Sequence, residues 1–310
     1  MMMSKQCLTQ WSLAAAIVGI GATASVQAAP IVYEGFDYTD GQAIHGQTGG
    51  TGFGANAWTR KWGSEEINAS APGMTYGDLD TTGGQANVDV LMIPNGSSGF
   101  PRFELQRTID TSSVDPGLLE AGKFGKTGTS IWGSVIVKNS GTGPPDSLQW
   151  LGLHLGDMDL GDMGGSANLN WGLHLNGTTM LSDVSVATEA LLVYRIDFNV
   201  GADDVFLWVN PDLNTFDPLT TAADIEATDL TLLDRPDISF DEIVVTGGTH
   251  SQGVGGAGDT FTRSDDEPYA FIDEIRLGAT AADVLPIPEP ASAGLICLGG
   301  MLIFSSRHGR

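Results

Sequence analysis

The chain has 310 residues, of which 42 are glycine, about twice the usual share. Acidic residues outnumber basic ones by 38 to 14, so the formal net charge is −24. A surface of this charge repels phosphates and anionic lipid headgroups, which argues against a nucleic-acid-binding protein and against docking on anionic membranes. A hydrophobic content of 41% is typical of a globular protein rather than a charged disordered chain.

The N-terminal segment has the composition of a secretory signal peptide. Lys5 precedes a short apolar stretch at 11–24, and Val26 and Ala28 place short side chains before a cleavage site after residue 28. The apolar stretch is shorter than the roughly 20 residues that a membrane-spanning helix needs, so a membrane anchor is the second interpretation. We expect residues 1–28 to be a signal peptide and the mature protein to be exported.

The C-terminal segment, residues 286–310, combines a proline-bounded motif, a short apolar stretch and a basic tip. These parts are Pro288, Glu289 and Pro290, then residues 291–304, then Arg307 and Arg310. Such a segment can be held in the membrane with its basic tip on the cytoplasmic side. It resembles the PEP-CTERM sorting signal of exported bacterial proteins, which implies processing by an exosortase-type membrane protease. A plain C-terminal anchor helix is the alternative.

Both cysteines, Cys7 and Cys297, lie in these terminal segments. The sequence between the segments therefore has no disulfide, no cysteine metal site and no thiol nucleophile. Its charge is more negative than that of the whole chain, because three basic residues but only one acidic residue lie in the segments. Composition shows no internal linker, so we expect one domain over residues 29–285, with membrane contact only through the terminal segments.

Short β-strands are predicted throughout this domain. In the clearest pattern, at 193–200, Tyr194, Ile196 and Phe198 share one face, and the strand at 205–209 completes a hairpin. Two echoing segments at 150–155 and 171–175 are predicted to pair directly across an acidic connector. Further strands are predicted at 131–138, 238–245 and 269–277.

Many short strands with glycine-rich turns predict an all-β sandwich or barrel. The opening Tyr33-Glu34-Gly35-Phe36-Asp37-Tyr38 resembles that of many PEP-CTERM-tailed proteins, and residues 271–278 are similar to the last strand of concanavalin A-like (laminin G-like) jelly rolls. The resemblance implies an antiparallel jelly-roll β-sandwich, flanked by a signal helix and a short hydrophobic C-terminal helix. Many members of that superfamily bind glycans, often with calcium, and some hydrolyse them.

Three carboxylates, Asp157, Asp159 and Asp162, lie in a glycine-bounded segment. Calcium takes several oxygen ligands from flexible loops, so these residues are a candidate calcium site, and calcium is the one cofactor that we consider. The spacing differs from that of an EF-hand, because the fifth position is Gly161. A solvated acidic turn is therefore the favoured interpretation.

Two predicted strands contain the triplet Asp-Glu-Ile, at Asp241 and Asp273. Each aspartate is in phase with apolar residues, so either the strand bulges or the carboxylate points to the apolar face and needs a partner. A structural aspartate satisfied by a neighbouring loop is favoured over a metal or catalytic carboxylate. The laminarinase-like hydrolases of this fold carry Glu-x-Asp-x-x-Glu on one strand. No such run occurs in the sequence, which argues against a hydrolase of that type.

Trp208 is the candidate carbohydrate-binding residue. It is out of phase with Val205, Leu207 and Val209, so it faces outward unless its strand is buried on both sides. An exposed tryptophan could stack on a sugar, although large aromatic residues also fill sandwich cores.

From these features we expect a non-enzymatic component of the cell surface or extracellular matrix. Its expected partners are the secretion machinery and the exosortase-type protease, with polysaccharide as the candidate ligand. The first alternative is a secreted glycoside hydrolase or polysaccharide lyase of concanavalin A-like fold, which release of reducing ends would support. The second alternative is a purely structural surface protein without a ligand.

Overall fold

The computed structural model describes the chain between residues 29 and 285, with gaps. The described residues are 29–63, 67–77, 79, 81, 83–88, 102–139, 147–162, 170–175, 177–228, 238–251 and 270–285. The predicted signal peptide and the predicted sorting tail both lie outside them. Among the described residues, no helix is long and apolar enough to cross a membrane.

Sheet A has the strand order β15-β14-β13-β8-β17-β4-β3, and β1 also pairs with β17. Its strands are β1 (Val32–Glu34), β3 (Asn68–Ser70), β4 (Gln85–Asn87), β8 (Thr129–Asn139), β13 (Ala190–Phe198), β14 (Asp204–Val209), β15 (Ile225–Ala227) and β17 (Ala270–Gly278).

Sheet B has the order β12-β11-β10-β9-β16-β5-β2. Its strands are β2 (Thr59–Trp62), β5 (Arg102–Thr108), β9 (Ser147–Leu155), β10 (Met158–Asp162), β11 (Asn170–Leu175), β12 (Thr178–Ser185) and β16 (Glu242–Ser251). The smaller elements are the two-stranded pair β6 (Leu119–Glu120) and β7 (Lys123–Phe124), 3₁₀ turns at Thr111–Ser113 and Pro116–Leu118, and the short helix α1 (Ala281–Val284).

The inner faces of the two sheets share one hydrophobic core, which confirms the predicted all-β antiparallel jelly-roll sandwich. The two-residue period of the strands explains how the core forms. On β9, Leu151, Leu153 and Leu155 are fully buried in the core, so the residues between them face outward. The predicted hairpin at 193–209 is also confirmed as β13 and β14, which pair from Leu192–Val209 to Asp197–Asp204.

A second apolar cluster covers the outer face of sheet A. Strand β13 supplies Leu191 and Val193 to this cluster, while its alternate residues face the main core. A strand that is buried on both sides explains the continuous apolar run at the start of β13. The cluster is completed by Met74, Leu79, Trp132, Ile136, Trp208, Leu213, Phe216, Phe271, Ala281, Val284 and Leu285.

One predicted strand pairing is wrong. The segments at 150–155 and 171–175 do not pair with each other, because part of the acidic connector between them forms β10. Strand β10 pairs with β9 on one side and with β11 on the other. The predicted hairpin is therefore a three-stranded meander.

Candidate functional site

A row of polar side chains crosses the centre of the outer face of sheet B. His154 on β9 lies opposite Asp159 on β10, and Asp159 lies opposite His174 on β11. Each alternates along its strand with residues of the main core, so all three side chains point outward. In this histidine–aspartate row (His154, Asp159 and His174), two imidazoles flank one carboxylate.

The contacts within the row join neighbouring strands. Nδ1 of His154 is 3.2 Å from Oδ1 of Asp159, and these side chains are only 13% and 18% exposed. Nδ1 of His174 is 2.9 Å from Oγ1 of Thr179, the next register position, on β12. Imidazole gains or loses its proton near neutral pH, so the row combines a carboxylate with groups that can exchange protons there.

A parallel row on the same face consists of glycines. Gly161 on β10 lies opposite both Gly152 on β9 and Gly172 on β11. A Cβ at Gly152 would lie 2.8 Å from the carbonyl oxygen of Leu160, and Gly161 has a φ of +136°, which residues with side chains rarely adopt. This glycine strip (Gly152, Gly161 and Gly172) therefore adds no side chains beside the histidine–aspartate row, and its three residues are buried.

Larger side chains stand at both ends of the glycine strip. In one direction the register continues through Thr246 on β16 and Glu104 on β5 to Trp62 on the edge strand β2. Trp62 is 53% exposed. In the other direction the strip ends at Leu181 on β12. The face thus has a polar row and a side-chain-free strip that run across the strands.

Asp159 and Glu104 are separate carboxylates rather than a facing pair. Strands β10 and β5 are three strand spacings apart, which is about 14 Å. Carboxylates that act together in glycoside hydrolysis are about 5–10 Å apart. The histidine–aspartate row therefore supplies one central carboxylate with two imidazoles.

The three carboxylates of the candidate calcium site do not come together. Asp157 is exposed between β9 and β10, Asp159 points outward, and Asp162 is buried and accepts a hydrogen bond of 2.8 Å from Nδ2 of Asn139. Residues 159 and 162 are an odd number of positions apart on one strand, so they face opposite sides. In the part of the chain that the structure describes, no group of three or more His, Cys, Asp or Glu residues could hold a metal ion.

Trp208 is not a sugar-binding platform, which corrects the prediction made for it. It does point away from the main core, but its strand is buried on both sides and the residue is 3% exposed. Its ring stacks on Trp132 at a centroid distance of 5.4 Å and meets Phe216 edge-on at 5.6 Å. Its Nε1–H donates to the carbonyl oxygen of Thr221 at 3.0 Å.

Asp273 is a structural carboxylate, as favoured from the sequence. Strand β17 bulges at this residue, and the backbone N–H groups of Met74 and Glu274 donate to its carboxylate at 2.8 and 2.7 Å. Burial, followed by the neighbouring Glu274 carboxylate, raises the pKa of Asp273 to about 8. Asp241, in contrast, is partly exposed and pairs with Lys123 at 3.0 Å.

A buried ion pair joins the N-terminal part of the domain to sheet B. Glu34 pairs with Arg107 of β5 and accepts hydrogen bonds from Trp58 Nε1–H at 3.0 Å and from the Tyr38 hydroxyl at 2.9 Å. The Arg107 guanidinium lies 4.0 Å from the ring centroid of Phe53. Burial, followed by the Glu34 charge, raises the pKa of Tyr38. These contacts are internal to the sandwich, so we assign them to stability.

The histidine–aspartate row was not predicted from the sequence. The matching positions of His154 and His174 in two echoing segments were a signal, and Asp159 lies between them in the chain. Because the two echoing segments were predicted to pair directly, that prediction placed no strand, and so no carboxylate, between the two histidines.

The predicted sorting residues, Pro288, Glu289, Pro290, Arg307 and Arg310, lie outside the described residues. Their role therefore stays a prediction.

No family model matches the sequence, and no curated protein matches it. Among solved structures, the chain is similar to an endo-1,3-β-glucanase from Streptomyces sioyaensis, with 13% identity, a TM-score of 0.37, and coverage of 81% of this chain and 96% of that one. A glycosyl hydrolase family 16 protein from Mycobacterium smegmatis has 13% identity and a TM-score of 0.37, and the match covers 80% of this chain and 100% of that one. A structure described with endo-acting O-glycanases of the human gut microbiota has 10% identity and a TM-score of 0.39, and the match covers 81% of this chain and 99% of that one.

The comparison contradicts the leading expectation of a non-enzymatic protein. The similar solved structures are described as glycan-cleaving enzymes, which agrees better with the alternative of a glycoside hydrolase. At 10–13% identity the likeness concerns the fold, so an activity of this chain has to be argued from its own residues.

Proposed function

We propose that the protein is an exported glycoside hydrolase that acts on a neutral polysaccharide at the outer face of sheet B. The observation that carries this proposal is the histidine–aspartate row beside the glycine strip. Three neighbouring strands bring one carboxylate and two imidazoles together, so that a proton donor and a negative charge lie side by side.

The chemistry follows from the charges that develop during glycoside cleavage. The leaving oxygen needs a proton, and the sugar ring acquires oxocarbenium-like positive charge. A protonated imidazole of the row can supply the proton as the glycosidic bond breaks, while the Asp159 carboxylate stabilises the positive charge. Water then adds to the anomeric carbon, and the proton that it loses returns to the imidazole. This assignment differs from the usual two-carboxylate arrangement, since Glu104 is too distant to serve as the second carboxylate.

Net charge favours a neutral substrate. Elimination by a polysaccharide lyase requires a uronic acid, and an anionic polysaccharide would be repelled by a protein with a formal charge of −24. Hydrolysis of an uncharged glycan avoids that repulsion. The two reactions differ in their products, because a lyase leaves an unsaturated sugar that absorbs ultraviolet light.

The test is release of reducing ends from a panel of neutral and acidic polysaccharides, with ultraviolet absorbance followed in parallel. We expect a neutral glucan, xylan or mannan to be cleaved without new absorbance. Asp159→Asn should lower the rate at least about 100-fold, the usual size of a general acid–base or charge-stabilising contribution. Asp183→Asn is the matched control, since this exposed carboxylate lies in the same sheet on β12, two strands from Asp159.

Two results would contradict the proposal. One is an absence of cleavage across the whole panel by a preparation whose circular dichroism shows a folded β-protein. The other is an Asp159→Asn variant that retains the wild-type rate. A purely structural surface protein would give the first result, and a site elsewhere on the molecule would give the second.

Export and sorting form a separate part of the proposal. The composition of residues 1–28 supports a signal peptide, and Pro288-Glu289-Pro290 with the following apolar stretch supports a PEP-CTERM tail within 286–310. In an exosortase-containing bacterium, the mature protein should appear outside the cytoplasm with its tail removed. Changing all three motif residues to alanine should leave the tail attached in the membrane fraction, which mass spectrometry would detect. Equal processing of both forms would contradict this assignment.

A further inference from the structure

A cavity of about 630 Å³ lies on the outer face of sheet A, beside the second apolar cluster, with which it shares Trp132 and Ala281. Residues from the start of β8 and the end of β13 line it, together with residues 218–219 and 279–281. Its volume is within the usual range of small-molecule sites. The lining of this sheet A cavity includes Ser130, Trp132, Arg195, Asp197, Asn199 and Leu219.

The register places polar side chains of the sheet A cavity next to each other. Asp197 lies opposite Ser130, and Arg195 lies opposite Trp132. Arg195 and Asp197 alternate along β13 with residues of the main core, so both side chains point outward. Nη2 of Arg195 is 2.9 Å from Oδ2 of Asp197, and the Ser130 hydroxyl donates to Oδ1 of Asp197 at 2.7 Å. A cation, a carboxylate and a hydroxyl therefore meet in one cavity.

The Arg195 guanidinium is held in place but keeps unused donors. Its Cζ atom lies 4.1 Å from the ring centroid of Phe206 and 5.5 Å from that of Trp132, so two aromatic neighbours fix its position before a ligand arrives. Among the described residues its one ionic or hydrogen-bonding partner is Asp197, and its Nε–H has none. A guanidinium has five N–H donors, so the fold leaves most of those of Arg195 unused.

The groups beside Arg195 supply acceptors and an apolar wall. The Asp197 side chain is 26% exposed, so its carboxylate can accept a further hydrogen bond. Nδ2 of Asn199 donates to Asp204 at 3.0 Å, which leaves Oδ1 of Asn199 as an acceptor. Leu219 is 88% exposed and adds apolar surface. This combination suits a sugar unit, because each sugar hydroxyl both donates and accepts and the ring has an apolar C–H face.

Charge favours an uncharged ligand over an anion. Arg195 and Asp197 are the two charged residues of the lining, and their charges cancel. Asp204 lies opposite Asp197 on β14 and adds a negative charge nearby. A phosphate or a uronate would therefore meet no net attraction in the cavity and would be repelled by the formal charge of −24.

We infer that the sheet A cavity is a second binding site of the protein, which takes an uncharged sugar unit of a polysaccharide. Arg195 donates to the hydroxyl oxygens of the sugar, and Asp197 and Asn199 accept from its hydroxyl groups. The cavity and the histidine–aspartate row lie on the outer faces of different sheets, so a glycan held at the cavity leaves the row unoccupied. The inference does not depend on hydrolysis at the row.

The experiment compares the full-length wild type with Arg195→Gln, Leu219→Ala and Val200→Ala. Arg195→Gln removes the guanidinium, whereas Leu219→Ala shortens an exposed side chain that contributes little to folding. Val200 is 92% exposed and does not line the cavity, so Val200→Ala is the matched control for loss of exposed apolar surface. Native gels that contain soluble β-glucan, xylan, mannan or anionic alginate measure a dissociation constant for each protein, and urea denaturation measures its stability.

We expect at least one neutral polysaccharide to retard the wild type and Val200→Ala equally. Arg195→Gln should raise the dissociation constant at least about tenfold, the usual effect of losing a hydrogen bond to a charged group. Leu219→Ala should raise it roughly two- to fivefold through lost apolar contact. Hydrolysis of short oligosaccharides at the histidine–aspartate row should be the same in all four proteins.

The outcomes distinguish this site from the proposed function. If Arg195→Gln and Leu219→Ala both bind more weakly but no glycan is cleaved, the site stands and the hydrolase assignment fails. If neutral polysaccharides retard all four proteins equally, or retard none, the site is overturned whether or not hydrolysis occurs. Weaker binding by Arg195→Gln alone would also overturn it, because a damaged fold would explain that result. Retardation by alginate alone, lost in Arg195→Gln, would overturn the assignment to an uncharged sugar.

Discussion

The outer faces of the two sheets contrast strongly, although both are built from strands that carry tryptophan. The outer face of sheet A is covered by a second apolar cluster, in which Trp132 and Trp208 stack beneath Leu213 and Phe216. The outer face of sheet B instead carries the mostly buried histidine–aspartate row and the buried glycine strip, and Trp62 is exposed at its edge. A tryptophan that points away from the main core is therefore a binding candidate only where no further layer covers it.

The same contrast holds for the two aspartates at the centres of these faces. Asp273 on sheet A receives two backbone N–H groups and holds a covering loop through Met74. Asp159 on sheet B is flanked by the imidazoles of two neighbouring strands. The Asp273 carboxylate accepts hydrogen bonds that stabilise the fold, whereas the Asp159 carboxylate lies beside groups that can take part in proton transfer.

The largest expected effect is a difference in stability between two tryptophan variants, one on each outer face. Trp208→Ala should lower the free energy of unfolding by about 3–5 kcal/mol, because it leaves a cavity between Trp132 and Phe216. Trp62→Ala should change it by less than about 0.5 kcal/mol, since that side chain is exposed. Urea denaturation followed by circular dichroism measures both, and equal losses would show that the faces do not differ as described.

The glycine strip predicts the next largest effect. Gly161→Ala should destabilise the protein by on the order of 2–3 kcal/mol, because its φ of +136° is unfavourable for alanine and the new Cβ would collide with the carbonyl oxygen of Leu151. Gly177→Ala is the matched control, since its φ is +79° but the space around it is open. The same denaturation experiment should show a clearly smaller loss of stability for Gly177→Ala. A similar loss in both variants would mean that the contact of the new Cβ with the Leu151 carbonyl oxygen is not a cause of the destabilisation.

Much of the fold was predictable because its signals are local, whereas the site depends on register. The alternation of Tyr194, Ile196 and Phe198 defines a strand within a few residues, so β13 and its hairpin with β14 follow from the sequence. The pairing of His154 with Asp159 depends on the formation of β10 within the predicted connector, where apolar and polar residues alternate only weakly. The burial of Trp208 depends on residues 211–224 folding back over sheet A, which no pattern near β14 indicates.

The pH dependence of stability tests the buried aspartate of sheet A. An aspartate in the unfolded chain ionises near pH 3.9, whereas burial raises the pKa of Asp273 to about 8 in the folded state. Between these values the folded protein holds one more proton, so Asp273 makes the free energy of unfolding fall as pH rises, by at most about 1.4 kcal/mol per pH unit. This contribution is fully present below about pH 4 and is lost as the pH rises toward 8.

Asp273→Asn removes that titration and keeps an acceptor for the Met74 N–H. Urea denaturation at intervals from pH 5 to pH 8 should show a flatter dependence for the variant than for the wild type. Asp183→Asn, at an exposed position of sheet B, should retain the wild-type slope. Parallel slopes for wild type and Asp273→Asn would mean that Asp273 is already ionised in this range.

The smallest expected effect concerns the rim of sheet B. Lys61 on β2 donates to Glu242 on β16 at 2.5 Å, and the two side chains are 41% and 31% exposed. Because solvent screens the attraction and both long side chains lose freedom when they pair, Lys61→Ala should lower the free energy of unfolding by less than about 0.5 kcal/mol. The difference should shrink further in 1 M salt, where the screening length is only about 3 Å. A loss above 1 kcal/mol that persists in salt would indicate that the β2 edge, which carries Trp62, is held by this pair rather than by its backbone pairing with β5.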